Sequence, residues 1–379
     1  MLKKRLFSAA LAAALLFTLP ACGKKDDPSQ SAASGSGSSG SSGSSSSASE
    51  IPDPPPEVPE QKPDLPYRNP LTGEGISTDI SGDRPVAIML NNLKKALPQL
   101  GVSQADIIYE MPAEGGITRM MAVFQNLDGV GDLGSVRSAR DYYVSLAYGM
   151  DAIFVHAGGS PQAYDAFKKW GYTHLDGVNG SFESGLFWRD QQRKKSMGLE
   201  HSLLTSGTKL QELLPTYTKR VRLTHKEGFA EPLHFLDKDA QAQGSPCTGV
   251  SVTFSKYKTG VFTYDANRGL YTVEEYGGPY VDGNNNQQVA VKNVLVLYTD
   301  VSDIKGDDKG RKSVRTTGQG EGVLVCDGTV QDIKWSKKDH ASPMTYTVKD
   351  GSPLLLGVGK SYVNIVGKSA QVTFEASAN

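Results

Sequence analysis

The spacing of apolar positions changes character three times along the chain. A single apolar run, Leu6 to Leu19, follows Lys3, Lys4 and Arg5. From Asp26 to Pro66 apolar residues almost vanish. Short apolar runs then alternate with stretches of helical spacing. Val86 to Leu90, Ala105 to Met111, Thr118 to Gln125 and Ala152 to His156 read as buried strands. Asp141 to Gly149 has helical spacing, and Thr205 to Leu214 reads as a further helix. A helix also runs from Pro161 to Trp170: Ser160 is its N-cap, proline sits at the first helical position, and Gly171 is its stop.

Beyond about Pro232 the period becomes two. Strands are expected at Val250–Tyr257, Gly260–Tyr264, Leu270–Glu275, Val289–Thr299, Gly322–Cys326, Val330–Trp335, Met344–Val348, Leu354–Val358, Ser361–Val366 and Ala370–Glu375. Asp327-Gly328 and Asp350-Gly351 are hairpin signals. Trp335, Tyr346, Tyr362 and Tyr257 read as core and cross-strand residues, and Lys334, Lys337 and Lys338 as a solvated strand end. The expected fold is α+β: an α/β domain over 67–231, then a mostly antiparallel β domain over 232–379, sandwich or barrel-like.

The first 66 residues set location. Basic, then apolar, then a small residue is the layout of a secretory signal, here residues 1–21. The apolar run is too short to span a membrane, which needs roughly 20 residues. Cys22, after Leu19-Pro20-Ala21, resembles the lipobox cysteine of bacterial lipoproteins, which is acylated and becomes the new N-terminus. Residues 22–66 form a tether, first Ser/Gly-rich and then Pro-rich. The Ser/Gly part spans roughly 25 Å as a coil, and the Pro-rich part adds up to about 50 Å as polyproline II. The expected location is the extracytoplasmic face of the cell membrane, with the membrane as a partner through Cys22.

Charge narrows the function classes. The chain carries 40 basic and 41 acidic side chains. Signal cleavage removes three bases and no acids, leaving 37 against 41, a net of −4. A nucleic-acid binder needs a basic excess, so none is expected. Cys247 and Cys326 remain once Cys22 is lipidated. An oxidising compartment permits a bridge between them, although two buried thiols are the commoner outcome. No Cys/His spacing matches a zinc site, and no metal or cofactor is expected.

The densest polar constellation lies in the first domain. Asp106, Glu110 and Glu114 precede Arg119; Arg137, Arg140 and Asp141 follow; then come His156, Gly158, Gly159 and Ser160, and later Arg189 and His201. Asp106 and Glu110 share a strand face. Arg137 and Arg140 share a helix face if the helix starts near Arg137. The Gly158-Gly159-Ser160 turn opens a helix, so its N–H groups offer an anion site. Arginines beside it suit phosphate or carboxylate. The competing reading pairs the arginines internally with Glu110, Glu114 and Asp141 and leaves the glycines to the turn. His156 and His201 have no partner fixed by spacing, and Ser160 is explained by capping.

These motifs resemble the YerB family of Gram-positive surface lipoproteins. The resemblance is carried by Arg84-Pro85-Val86-Ala87-Ile88-Met89, Ala105-Asp106-Ile107-Ile108-Tyr109-Glu110, Glu114-Gly115-Gly116-Ile117-Thr118-Arg119, Val136-Arg137-Ser138-Ala139-Arg140, His156-Ala157-Gly158-Gly159-Ser160 and Phe187-Trp188-Arg189-Asp190. In the second domain it continues through Asn293-Val294-Leu295-Val296 and Ile333-Lys334-Trp335-Ser336-Lys337. Ser202 stands where the family has Asn after His201. The resemblance implies two domains of unknown function and supplies no reaction. Arg119, Arg140 and Asp141 also bear a short-motif likeness to the LytR-CpsA-Psr phosphotransferases. Two functions follow as expectations. One is a tethered binding or scaffold protein of the cell envelope that recognises a wall polymer or protein partner at the Arg/Gly-rich site. The other is an envelope-polymer enzyme, a phosphotransferase or hydrolase.

Overall fold

Three strands of the first segment are buried at nearly every position, as strands covered on both faces must be. They are Val86–Asn92 (β1), Ile107–Pro112 (β2) and Thr118–Phe124 (β3), with β3 antiparallel to both neighbours. Helix Asp141–Gly149 (α1) leads to Ile153–His156 (β4), parallel to β1. Helix Pro161–Trp170 (α2) leads to His174–Asp176 (β5), parallel to β4. The ends of α2 are those its sequence predicts. Ser160 Oγ accepts from the Ala163 N–H, and Gly171 adopts φ +60°.

The structure is a computed structural model. It describes residues 65–180, 183–237 and 239–376, which belong to one compact unit spanning Lys62–Asn379. The signal segment, Cys22 and the tether as far as residue 64 lie outside the described residues.

In the second segment Gly249–Ser255 (β6), Lys258–Asp265 (β7) and Leu270–Glu275 (β8) form an antiparallel meander. Asn293–Thr299 (β9), Gly318–Cys326 (β10) and Thr329–Lys337 (β11) form a second one. Cys326 faces Thr329 across the Asp327-Gly328 turn, whose residues have φ +50° and +71°, as a type I′ hairpin requires. Ser361–Gly367 (β12) then enters between β9 and β2, parallel to both. One eleven-stranded sheet therefore runs through both segments, with the core order β11-β10-β9-β12-β2-β3-β1-β4-β5. Gln371–Glu375 (β13) returns to pair with β6 in a six-stranded antiparallel sheet. The result is α+β, and neither sheet closes into a barrel.

Alternate residues of the large sheet serve two cores. Ala87, Met89, Tyr109 and Met121 pack with Tyr143 and Leu146 of α1 and Phe167 of α2. Ile88, Leu90, Ile108 and Met120 share a core with Val250, Val252, Phe262 and Tyr271 of the six-stranded sheet.

Three local expectations change. The segment read as a helix from Thr205 begins as strand Leu203–Ser206, which pairs with Asp132–Gly134; the helix is Gly207–Leu213, capped by Ser206. Strand pairing satisfies the first backbone groups there, so propensity does not decide. Lys337 is buried, not solvated: its ammonium donates to the carbonyls of Asp339 (2.8 Å), His340 (2.9 Å) and Ser342 (2.5 Å). Tyr257 is not a core residue but is 61% exposed. Cys247 and Cys326 are free, buried thiols, the commoner of the two outcomes open to them from the sequence.

Where the two sheets meet the seam is charged. Glu110 on β2, Lys258 on β7 and Glu275 on β8 are all within 3% of full burial. Lys258 Nζ pairs with Glu275 and lies 3.3 Å from Glu110 Oε1. The Tyr362 hydroxyl of β12 donates to Glu110 Oε2 (2.5 Å) and lies 3.2 Å from Glu275 Oε1. Glu110 Oε1 also accepts from Asn92 Nδ2 (2.8 Å) and Thr118 Oγ1 (2.6 Å). Burial pushes the Lys258 ammonium below the usual lysine value, and Glu110 opposes that shift. Removing one member of a buried pair leaves an uncompensated charge, at about 3–5 kcal/mol. Lys258→Met is therefore expected to lose stability on that scale, and Tyr362→Phe about 1–3 kcal/mol, read by urea unfolding. A fragment of residues 65–231 would leave the β2 edge and Glu110 without β12 and Lys258. Its expected outcome is failure to give a cooperative unfolding transition in circular dichroism.

Candidate functional site

The arginines of the constellation separate into two groups. Arg119 and Arg140 are buried, and both grip Glu114. Arg140 Nη2 and Nε donate to Glu114 Oε2 at 2.6 and 3.2 Å, and Arg119 Nη2 meets Oε1. Burial alone would raise the Glu114 carboxyl, but the two guanidiniums hold it below the usual range. Helix α1 starts at Asp141, so Arg140 is its extended N-cap and never shares a helical face with Arg137. Asp141 makes no ion pair with either arginine among the described residues. Arg119, Arg140 and Asp141 therefore do not present an open phosphate site. Asp106 and Glu110, predicted on one face, also end with different partners. Asp106 accepts from the Gln125 N–H (2.6 Å) and Asn69 Nδ2 (3.3 Å), whereas Glu110 joins Lys258.

The glycine turn already holds an anion, and it is the protein's own. Asp176 Oδ1 accepts from the Gly158 N–H (2.7 Å), and Oδ2 accepts from the Tyr164 hydroxyl (2.6 Å). Ser160 caps α2. His156 is buried beneath the turn. Its Nδ1–H donates to the Gly158 carbonyl (2.7 Å), so Nε2 accepts from His174 Nδ1–H (2.8 Å). That fixes both tautomers without a free ring nitrogen on His156. Asp176 was invisible to sequence reasoning, because eighteen residues separate it from Gly158 and only the β4–β5 pairing brings them together.

What remains open is a cleft of about 360 Å³. Arg137 and Arg189 line it with Ser138, Asn179 and the Gly158-Gly159 turn. Val178 and Leu199, 44% and 53% exposed, form its apolar wall. Arg189 Nη1 donates to the Leu199 carbonyl (2.9 Å). Arg137 Nη1 donates to the Glu200 carbonyl (2.9 Å), and its guanidinium meets Glu200 Oε2 at 3.3 Å. Arg137 Nε has no partner among the described residues. Glu200 is 75% exposed, so this pair contributes about 0–1 kcal/mol.

His201, the next residue, turns away from this cleft. Asn91 Nδ2 donates to its Nδ1 (2.7 Å), since Asn91 Oδ1 already accepts from the Leu93 N–H. The ring proton is therefore on Nε2. Among the described residues no group of three or more His, Cys, Asp or Glu is placed to hold a metal ion. No described helix is long and apolar enough to cross a membrane.

Fold and cleft together define a two-segment α+β protein with a surface site walled by two arginines. Residues 71–220 match the "Protein of unknown function (DUF3048) N-terminal domain" and residues 250–363 its C-terminal domain. The chain belongs to the DUF3048 family. It is 33% identical over 299 residues to "Putative lipoprotein YerB" of Bacillus subtilis (strain 168), covering 78% of this chain and 85% of that one. The crystal structure of YerB from Bacillus subtilis superposes with a TM-score of 0.69 at 29% identity, over 81% of this chain and 99% of that chain.

Burial raises the Asp106 carboxyl to about 6 and lowers the His156 imidazole to about 4. Folded Asp106 keeps its proton where the unfolded chain releases it, so stability falls as pH rises from about 4 to about 6. His156 acts the other way: the unfolded chain takes up its proton first, so stability falls as pH drops from about 6.5 to about 4. At 1.36 kcal/mol per pH unit each effect is about 3 kcal/mol, and the two oppose each other. Asp106→Asn removes the first and leaves the second. Relative to wild type, this variant is expected to become more stable by up to about 3 kcal/mol between pH 4 and pH 8, measured by urea midpoints across that range. A difference independent of pH would contradict it.

Proposed function

We propose that this chain is a lipid-anchored protein of the outer face of the cell membrane and that its Arg137–Arg189 cleft binds an anionic component of the envelope. One observation carries the reading. Two guanidiniums reach one open cleft in which the sole acidic lining residue among the described residues, Glu200, is an exposed side chain already resting on Arg137. A carboxylate is thus what Arg137 accepts, and displacing an exposed partner costs about 1 kcal/mol or less. Bidentate arginine contacts favour carboxylate and phosphate equally. Ser138 and Asn179 add neutral donors of the kind that orient a bound anion.

The location rests on the basic–apolar–Cys22 layout and on the lipoprotein description of the relative at 33% identity. Among the described residues the cleft lining holds no His, Asp or Cys, which favours binding over turnover. The test is co-sedimentation of the full chain with isolated cell-wall fragments. Wild type is expected to pellet with the wall at low salt and to be released as salt rises. Arg137→Gln with Arg189→Gln is expected to weaken binding about tenfold or more with an unchanged unfolding midpoint. Equal binding by this double variant would overturn the site.

A further inference from the structure

Three of the seven exposed large apolar side chains among the described residues line two neighbouring clefts. Val178 and Leu199 lie on the arginine cleft, and the most exposed of all, Tyr257, lies on a second cleft of about 240 Å³. Exposed apolar surface gathered at concave sites marks binding surfaces. The short turn Leu199–His201 is the wall the two clefts share: Leu199 and Glu200 face the first and His201 lines the second.

The second cleft is built by both segments. Leu93, Ile117 and Gly116 come from the first, Tyr257 and Tyr276 from the second. Ser255 ties the two together, because its hydroxyl donates to the Gly116 carbonyl (2.5 Å). Lys94 and Lys95 stand exposed on the lining and have no acidic partner among the described residues. The floor is Lys258, whose charge Glu110 and Glu275 already offset. An acidic group entering here therefore meets Lys94 and Lys95 at the rim, while the tyrosine rings and Leu93 offer an apolar face beneath it.

We infer that the two clefts form one groove for an acidic glycan chain, in which Arg137 and Arg189 hold one acidic unit and Tyr257, Tyr276, Lys94 and Lys95 hold another across the Leu199–His201 turn. This rests on the anion reading of the arginine cleft and extends it from a single anion to a polymer. The chemistry alternates as such a chain does. Each cleft pairs cations with an exposed apolar face, and each sugar unit pairs an acidic group with an apolar ring face. Linking two weak subsites multiplies their affinities when one chain reaches both.

The probe is a length series of oligogalacturonates, from the single uronic acid to eight units, titrated calorimetrically into the full chain. Polyglutamate of matched charge is the peptide control. Affinity is expected to rise at least tenfold with length and then level once the chain crosses the turn. Tyr257→Ala with Lys94→Gln and Lys95→Gln is expected to remove that gain and leave binding of the single unit unchanged. All three positions are exposed, and the unfolding midpoint checks that the fold is intact. Arg137→Gln with Arg189→Gln is expected to remove binding of the single unit and to weaken every longer chain at least tenfold. If affinity is flat with length, or the triple variant keeps the gain, the second subsite is wrong while the arginine cleft stands. If the arginine variant binds all lengths normally, the arginine reading itself fails. If polyglutamate binds as tightly as the octamer and shows the same loss in the triple variant, the occupant is a peptide and the glycan assignment is overturned.

Discussion

The fold depends on a strand that comes late in the chain. β12, within the final twenty residues, inserts between β2 and β9 and joins them by parallel pairing on both sides. Until it does, β2 is a buried edge with unsatisfied N–H and C=O groups, and the sheet of the first segment is incomplete. The same strand brings Tyr362 to Glu110, and the meander behind it brings Lys258 and Glu275. The second segment thus supplies both the backbone partner of β2 and the charge partner of Glu110. Such a cluster adds little net stability over an apolar core of equal volume, but it tolerates no missing member.

The surface clefts follow from that seam. Lys258 is both the centre of the buried cluster and the floor of the tyrosine cleft. The position of Tyr257 relative to Gly116 and Ile117 is therefore set by the packing of one segment on the other, and the Ser255–Gly116 bond holds it. The arginine cleft depends on a different constraint. Asp176 anchors the Gly158 turn, whose residue at φ +71° suits glycine, and the turn sets the wall opposite Arg189. Internal ion pairs absorb Arg119 and Arg140, which leaves Arg137 and Arg189 as the arginines of this region that line an open cleft.

Local signals were legible along the chain. The N-cap, proline and glycine of α2, the Asp327-Gly328 hairpin, the strands of both segments and the arginine-rich constellation could all be read from residues near one another. Capping, turn geometry and hydrophobic period act over a few residues, so a linear reading captures them. The likeness to the YerB family was also a property of linear motifs, and the family match bears it out.

Everything that separates a site from a scaffold lay beyond that range. Glu114 reaches Arg140 across 26 residues, Asp176 reaches Gly158 across 18, and Tyr362 reaches Glu110 across 252. Tyr257 and Lys337 exchanged their expected environments, because strand-like spacing does not say which strand end a neighbouring element will cover. By itself the sequence determined the elements, the segment order and the presence of an arginine-rich region. The tertiary structure alone decided which arginines are neutralised and which face a cleft. The physical reason is that the partner charge, and the burial that strengthens or weakens it, come from elements distant in the chain.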